Sequence, residues 1–404
     1  MPDKEAVISG VGVVVPGALG KDAFWALQAE GKDCASLIDS FPTDDFAVKV
    51  ACEIKNFNPK DILGFKGLRN LDRTTLLLLA SSKYAINDAN LGITDNNTDD
   101  IGVCTGTTFS HLWSILEFDK EVFTDGIGFS NPALFPSNVM NAASSHVSIR
   151  FNIQGFNATI STGYTSGIEA LKYSTNALKT GAANTVLVNG VDSLTYPVFF
   201  GFDRLGYMAG LKGIPLSCPF DKRRNGPILG EGSVSLCVES EETAKKRNAS
   251  VLARIKGVST YFDSSKNSNG LKIAIERLFD KTGMGPNDID YISSSANSSY
   301  IDKKEVSALS NVFGKRLKNV PLSSIKSMFG ETVSASSSLQ IASCLGCMQT
   351  EMIPPTINYR DFDLDCDIDC VANKAQKKDV KTALVTSLGL GGYSAACILE
   401  KYQN

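Results

Sequence analysis

The fold of this chain is constrained most by continuous apolar runs that alternate with amphipathic segments along its 404 residues. Continuous apolar runs are typical of strands covered on both faces, and apolar residues at every third or fourth position are typical of helices. The runs predict strands at residues 7–15, 101–106, 185–190, 251–258, 289–295, 319–324 and 382–388. The amphipathic segments predict helices at residues 71–90, 167–181, 270–283 and 337–351. This alternation predicts a layered α/β fold.

The order of these segments indicates an internal repeat. Asp100 and Ile101 open one predicted strand, and Asp288 and Ile289 open another, each after a helix and a polar turn. We therefore predict two similar halves, residues 1–249 and 250–404. No low-complexity tract or long linker separates them, so we expect the halves to pack as one body.

Composition argues against several classes of protein. Forty basic and 43 acidic residues give a net charge of −3, which does not fit a polycationic nucleic-acid binder. Ten cysteines are too dilute for a disulfide scaffold and fit a reducing cytoplasm. No run approaches the roughly 18 apolar residues of a membrane span, and residues 6–20 are predicted as a strand and turn instead of a signal peptide. We expect a cytoplasmic protein with no nucleic-acid or membrane partner.

Histidine is scarce, because the chain contains only His111 and His146. A mechanism that needs two imidazoles at one site must therefore use this pair. We predict that His146 is a structural, hydrogen-bonded residue, and His111 lies far in sequence from the glycine-punctuated loops in which we expect chemistry.

The clearest of these loops is an elbow at residues 160–171, where a strand enters a tight turn and then a helix. The residue at the tip of such an elbow projects into a cleft above the helix N-terminus. Acyl-transfer enzymes carry serine or cysteine there, whereas this chain carries Tyr164. A phenol with a pKa near 10 is a poor nucleophile at neutral pH. Further small-residue loops lie at residues 293–300, 326–332 and 387–396, and such turns are weak evidence when taken alone.

Several motifs share one order. The most specific is PFDKRRNGPILGEG at residues 219–232, with NLDRTT, LFPSNVMN, KSMFGET, PPTIN and GLGGYS in sequence around it. On these residues the chain resembles, essentially from end to end, the β-ketoacyl-carrier-protein synthases of type II fatty-acid and polyketide assembly. The resemblance implies a thiolase-like α/β fold in which two similar halves form a five-layered αβαβα body, and it implies no cofactor.

The resemblance also implies that the reactive residues are gone. Tyr164 aligns with the nucleophilic cysteine of the family, Ser295 with its first catalytic histidine and Glu331 with its second. Lys326 alone remains, and we expect it to pair with Asp302 or Glu305 of the adjoining helix. Decarboxylative condensation needs a thiolate for the acyl chain and donors for the developing negative charge. The chain is therefore not expected to condense acyl groups by itself, and its status as an enzyme stays open.

A family member without this triad resembles the chain-length factor, the inactive partner of an active ketosynthase in type II polyketide systems. That resemblance implies a heterodimer with the active ketosynthase, contact with the growing polyketide chain, and access to an acyl carrier protein. The carrier protein would dock near Lys66 and Arg69, in a basic patch thinned by Asn70. Interface residues would be Phe135, Pro136 and Asn138. Tunnel residues would be Phe109, Leu112, Trp113, Leu116 and Leu390, the first four at helical spacing, although an apolar stripe is equally typical of a core.

Other interpretations remain open at this point. The chain could be a malonyl-thioester decarboxylase that provides starter units, although such relatives usually keep both histidines. It could also be a catalytically silent binding or scaffold protein, or a homodimer. Cys344 and Cys347, with Cys366 and Cys370, are spaced like zinc ligands, but the first pair lies in a predicted buried helix. We therefore predict that these cysteines are core residues and that the chain holds no metal.

Overall fold

The computed structural model describes residues 5–129, 131–265 and 269–403. In these ranges the strands are β1 Ala6–Val15, β2 Ala18–Leu19, β3 Ser36–Leu37, β4 Val50–Ala51, β5 Ile101–Gly106, β6 Asn157–Ile160, β7 Thr185–Asp192, β8 Gly232–Ser240, β9 Ala253–Phe262, β10 Tyr291–Ser293, β11 Leu322–Ser323, β12 Met352–Ile353, β13 Gln376–Lys377, β14 Thr382–Leu388 and β15 Tyr393–Lys401. The α-helices are α1 Lys21–Glu30, α2 Pro59–Leu63, α3 Arg73–Asp88, α4 Leu112–Asp125, α5 Ala142–Phe151, α6 Ser166–Thr180, α7 Tyr196–Arg204, α8 Glu241–Lys246, α9 Asn269–Thr282, α10 Tyr300–Phe313, α11 Lys326–Phe329 and α12 Ser334–Thr350. Short 3-10 helices lie at Thr98–Asp100, Pro132–Ser137, Gly163–Thr165, Pro286–Asp288, Gly314–Asn319 and Leu364–Cys366.

Two sets of five strands make up most of the central sheet, and both sets have the same topology. The first set runs β6-β5-β7-β8-β1 and the second runs β11-β10-β14-β15-β9. When each set is numbered from one to five along the chain, both orders read 3-2-4-5-1. In both, the first two neighbour pairs are parallel and the last two are antiparallel. Residues 6–8 of β1 pair with residues 253–255 of β9 and join the two sets.

Helices cover this sheet in layers. The helices α6 and α12 lie between the two strand sets, α3 packs outside the first set, and α9 packs outside the second with α10 against it. All of β1 is buried, which explains why its sequence is continuously apolar. Residues 334–348 of α12 are buried on every side, so this helix shows little amphipathic character. The predicted α/β fold in five layers is confirmed.

One side of the molecule is apolar and uncovered. Strand β6 lies at the end of the sheet and, among the described residues, pairs only with β5. No residue of α4 is buried, and the segment from α4 to α5 exposes several large apolar side chains. These are Trp113, Leu116, Phe123, Ile127, Phe129, Phe135, Val139, Met140 and Ile149. Among the described residues no helix combines the length and the apolar character that crossing a membrane requires.

Candidate active site

The elbow predicted at residues 160–171 is present, and Tyr164 lies at its tip. Strand β6 leads into a 3-10 turn whose Gly163 has φ +69°, a left-handed conformation that favours glycine, and α6 follows directly. Tyr164 is only 3% exposed, and its hydroxyl has no hydrogen-bond partner in the described part of the chain. Burial, and then the nearby negative charge of Glu331, raises the pKa of the phenol well above its usual value. The ring is therefore held as a neutral, buried group.

The ion pair Lys326–Glu331 lies beside this ring. The Lys326 Nζ and Glu331 Oε2 atoms are 2.8 Å apart, and the two side chains are 3% and 0% exposed. The same ammonium group lies 5.3 Å from the centre of the Tyr164 ring. Asn297 donates a hydrogen bond to the Glu331 carboxylate at 2.9 Å, and Ser336 donates another. Glu331 is thus fully occupied, and this charge pair is neutral as a whole.

The expected pairing of Lys326 with Asp302 or Glu305 is wrong. Asp302 accepts hydrogen bonds from the backbone N–H groups of Phe220 and Asn297, and burial raises its pKa to about 6. The carboxylate of Glu305 accepts hydrogen bonds from the Ser294 hydroxyl and from the backbone N–H of Ser295. Both acidic groups are therefore engaged in fixing loops, and the lysine pairs with Glu331 instead.

Ser295 follows β10 and is 1% exposed. Its backbone N–H donates to Glu305 at 3.0 Å, while its hydroxyl is buried without a partner among the residues described. A hydroxyl cannot replace a neutral imidazole as a proton acceptor of comparable strength, so this residue offers no general base. Sequence reasoning missed two loop residues of this region. Asn297 hydrogen-bonds to Glu331, and Tyr207 hydrogen-bonds to Ser299.

A cavity of about 280 Å³ opens in front of Tyr164. Its walls are largely apolar and include Phe109, Phe202, Val333 and Leu390. Phe109 and Phe202 meet edge to face with ring centres 6.1 Å apart. The cavity can hold a small apolar group, and the described residues bring no charged side chain to its wall.

The five predicted tunnel residues do not all lie together. Phe109 and Leu390 line the cavity, and Leu112 packs into the same apolar cluster as these two. Trp113 and Leu116 lie on the uncovered side, 40% and 44% exposed. The predicted helical spacing fails at Phe109, because α4 begins only at Leu112, after the left-handed turn at Ser110.

In the described structure neither histidine lines the cavity or contacts the Lys326–Glu331 pair. His111 is 2% exposed, and its Nδ1 atom is 2.7 Å from the carboxylate of Asp72 at the start of α3. His146 lies half-buried on α5, where burial and then the nearby His111 lower its pKa. Cys344 and Cys347 are buried within α12, and burial raises the pKa of all four cysteines in the two predicted pairs. In the described ranges no three His, Cys, Asp or Glu side chains converge as a metal site would require.

Comparisons with known proteins agree with the motif order. Residues 3–244 match the model of the beta-ketoacyl synthase N-terminal domain, and residues 252–360 match that of the C-terminal domain. The chain belongs to the β-ketoacyl synthase family. A 3-oxoacyl-[acyl-carrier-protein] synthase 2 of Staphylococcus aureus strain N315 is 29% identical over 99% of both chains. A putative polyketide beta-ketoacyl synthase 1 of Streptomyces halstedii is 30% identical over 98% of both.

Among solved structures, one described as the ishigamide ketosynthase/chain length factor superposes with a TM-score of 0.93 at 26% identity. The match covers 99% of this chain and all of the other. The thiolase-like ketosynthase fold is therefore confirmed, together with membership of the β-ketoacyl synthase family.

The longest motif of this β-ketoacyl synthase family member, residues 219–232, supports the loops around the site. Its Glu231 is completely buried and accepts two hydrogen bonds from the guanidinium of Arg73, one of them at 2.8 Å, as well as one from the backbone of Ile54. Asp221 forms a two-point ion pair with Arg223 and also accepts backbone bonds. Although burial opposes it, these hydrogen bonds lower the pKa of Asp221 well below its usual value. The motif thus pins the loop behind Glu331 to α3.

The predicted contact residues of this family member lie at the surface. Phe135 is 64% exposed, and Pro136 and Asn138 stand with it at the end of the uncovered side. Lys66 and Arg69 are exposed in the loop after α2. Their positions are compatible with the predicted contacts, which remain predictions.

Proposed function

We propose that this chain is a chain-length factor, a non-catalytic ketosynthase-like subunit of type II polyketide biosynthesis. It pairs with an active ketosynthase and shapes the tunnel in which a poly-β-ketone chain grows from malonyl-carrier protein. The product is an aromatic polyketide or an aryl polyene. One observation carries the proposal: the elbow holds the neutral, buried ring of Tyr164, and the Lys326–Glu331 ion pair fills the space beside it.

The chemistry of this pocket supports a silent subunit. Condensation needs a thiolate that carries the acyl chain, and donors free to stabilise an enolate and an oxyanion. Tyr164 cannot ionise at neutral pH, and Lys326 is already bound to a carboxylate. Glu331 would repel negative charge if the lysine moved to serve a substrate. The pocket therefore supplies neither the nucleophile nor the donors.

The uncovered apolar side supports a partner subunit. Contiguous exposed apolar patches of this kind mark interaction surfaces. Phe118 and Phe135 lie with ring centres 6.5 Å apart, which joins α4 to the 3-10 helix at Pro132–Ser137 in one surface. A free strand edge at β6 offers backbone groups to a strand of the partner. We propose that the active ketosynthase covers this side and that the carrier protein reaches the complex near Lys66 and Arg69.

The test is reconstitution with the intact cysteine-histidine-histidine ketosynthase produced alongside this chain. The chain alone is expected to take no acyl label from an acyl-carrier protein and to release no carbon dioxide from malonyl-carrier protein. The two chains are expected to co-purify, and the pair to make a product of defined length. Decarboxylation by the isolated chain would instead favour the starter-unit enzyme. An active ketosynthase that makes the same product alone would refute the length-control role.

Replacing Phe109 by alanine tests the tunnel. Because Phe109 stands in the wall of the cavity, F109A is expected to lengthen the product and to reduce stability by about 2 kcal/mol through the space it leaves. Product masses from the reconstituted pair and urea unfolding of the variant measure both effects. Phe362, which is 52% exposed and does not line the cavity, provides the control F362A with unchanged product. An unchanged product with F109A would contradict the tunnel assignment.

A further inference from the structure

A buried carboxylate lies behind the cavity and has no role in the site described above. Asp192 is the last residue of β7 and is 2% exposed. In the described part of the chain no lysine, arginine or histidine lies within ion-pairing distance of it. Burial therefore raises its pKa, although its hydrogen bonds act in the opposite direction. An unpaired buried carboxylate is costly unless hydrogen-bond donors surround it.

The donors come from the loop that carries Phe109. Asp192 Oδ1 accepts the backbone N–H of Phe109 at 2.9 Å, the hydroxyl of Thr107 at 3.0 Å and the N–H of Ser110 at 3.3 Å. The N–H of Thr108 is 3.2 Å from both carboxylate oxygens. Four consecutive residues thus turn around one side chain. Ser110 has φ +35°, a strained conformation for a residue with a β-carbon, which persists only where neighbours enforce it.

The second carboxylate oxygen of Asp192 links the Phe109 loop to the elements around Tyr164. Asp192 Oδ2 accepts the N–H of Ser334 at 3.0 Å, at the first turn of α12. The hydroxyl of Ser334 is 2.6 Å from that of Thr108. The Ser334 hydroxyl is also 3.4 Å from the carbonyl oxygen of Gly163 in the elbow, to which Ser166 at the start of α6 donates as well. One carboxylate therefore ties together the Phe109 loop, the start of α12 and, through hydroxyl groups, the elbow beneath Tyr164.

We propose that Asp192 is a positioning residue that holds the Phe109 side chain against the cavity and so sets the length limit that Phe109 imposes. The inference rests on the proposed function. Asp192 lines no part of the cavity, so it acts through the loop and not by contact with a growing chain. Without the carboxylate, the backbone N–H groups of Phe109 and Ser110 lose their acceptor and, among the described residues, Ser110 keeps only its bonds with Thr74 and Met140. Phe109 is then free to leave the wall.

The first variant is Asp192→Asn. Its amide nitrogen would face an N–H donor on one side, either that of Ser334 or those of the loop, so one set of bonds is lost. D192N is expected to raise the proportion of longer products roughly tenfold or more, as the loss of a hydrogen bond to a charged group implies. F109A combined with D192N is expected to add nothing to F109A alone, because both changes open the same wall.

Thr107→Val serves where D192N folds poorly, because it removes one 3.0 Å bond to the carboxylate and keeps the shape and the charge. It is expected to change the product in the same direction and by less. The control is Glu239→Gln, which alters a fully buried carboxylate that pairs with Arg247 at the other end of the β7–β8 ladder. E239Q is expected to reduce stability and leave product length unchanged, which separates positioning from general destabilisation.

A crystal structure of D192N tests the positioning independently of polyketide synthesis. Phe109 is expected to leave its edge-to-face contact with Phe202, now 6.1 Å between ring centres. A ring that keeps its place would overturn the inference, and so would an unaltered product from D192N where F109A alters it. If F109A itself leaves the product unaltered while D192N displaces the ring, the proposed length control fails and the positioning of Phe109 stands.

Discussion

At the scale of single residues, the candidate site is built around one buried ion pair, Lys326–Glu331. Lys326 and Glu331 are separated by only five positions, and Gly330, with φ +72°, turns the chain so that the carboxylate folds back over the amine. A buried ion pair contributes little net stability, but removing one partner leaves an uncompensated charge inside the protein. The pair should therefore matter strongly for folding.

Breaking this pair tests that view. Lys326→Met is expected to lower the free energy of unfolding by about 3–5 kcal/mol, because Glu331 then stays buried without a cation. Adding Glu331→Met in the same chain is expected to restore much of the loss. The surface pair Lys246–Glu242, 74% and 63% exposed, provides the control K246M with a change of less than about 0.5 kcal/mol. Urea unfolding curves measure all three, and a mild effect of K326M would contradict a buried charge pair.

The lowered pKa of Asp221 predicts how the stability of the protein depends on pH. The pKa of Asp221 in the folded protein is lowered, so its contribution is present above the unfolded pKa of about 3.9 and is lost as the pH falls through the lower, folded value. D221N is expected to lose about 2 kcal/mol of unfolding free energy at pH 7. The gap to the wild type should narrow below pH 4. Urea unfolding at several pH values measures this, and a gap independent of pH would refute the assignment.

At the scale of elements, the site depends on how closely α6 approaches α12. Gly167 lies at the start of α6, and a β-carbon there would come within 2.2 Å of the Ser338 hydroxyl and 3.0 Å of its backbone nitrogen. No side chain larger than hydrogen fits that contact without moving one helix. The elbow and the start of α12 are thereby held at a fixed separation, which places Tyr164 beside Glu331.

A glycine-to-alanine pair measures this contact. G167A is expected to destabilise the chain by about 1–3 kcal/mol, because the two helices must separate. The matched change G201A lies within α7, where a β-carbon meets nothing within 4 Å, and is expected to stabilise by about 0.5–1 kcal/mol through helix propensity. Thermal unfolding of both variants gives the comparison. Equal effects would mean that the close approach has no energetic weight.

Much of this element structure follows from the sequence, and the exceptions have a physical cause. All seven predicted strands are present, and most of them are continuous apolar runs. Strand β8 escaped prediction because serines interrupt it, and these serines are buried only because Ser81 of α3 bonds to Ser233 at 2.7 Å and to Ser235 at 2.8 Å. Such a partner, some 150 positions away, leaves no local signal.

The same limit applies to the candidate site. The alignment of motifs singled out Tyr164, Ser295, Glu331 and Lys326, and the structure places Tyr164, Lys326 and Glu331 together. The alignment could not reveal which residue pairs with Lys326, because that pairing depends on a backbone turn at Gly330. Nor could it reveal Asp192, whose only visible signal was an acidic residue at the end of an apolar strand.

At the scale of the whole molecule, the candidate site draws on loops from both strand sets. Tyr164 belongs to the first set, while Ser295 and Lys326 follow strands of the second. Both sets have the strand order 3-2-4-5-1, and this order does not depend on which side chains the loops of the candidate site carry. The whole frame superposes on the structure described as the ishigamide ketosynthase/chain length factor with a TM-score of 0.93.

The uncovered side yields a prediction at this scale. Ile149→Glu, at a side chain 75% exposed on α5, is expected to weaken the complex with the ketosynthase by at least about tenfold, because a charge is costly in an apolar contact. Leu364→Glu, 84% exposed in the second half of the chain, is the control and should bind normally. Light scattering after size exclusion reports the association. Full-strength binding by I149E would place the partner elsewhere.

The free edge of β6 and the bare aromatic side chains around it also bear on how the protein must be produced. Chaperones and aggregates recognise the same features, so a copy that finds no mate is a liability in the cell. If the proposed ketosynthase partner covers these features, surplus chains are expected to be degraded or to precipitate, and the steady level of this polypeptide then follows the supply of that partner. Synthesis of both from one message, in equal amounts, would be the economical solution.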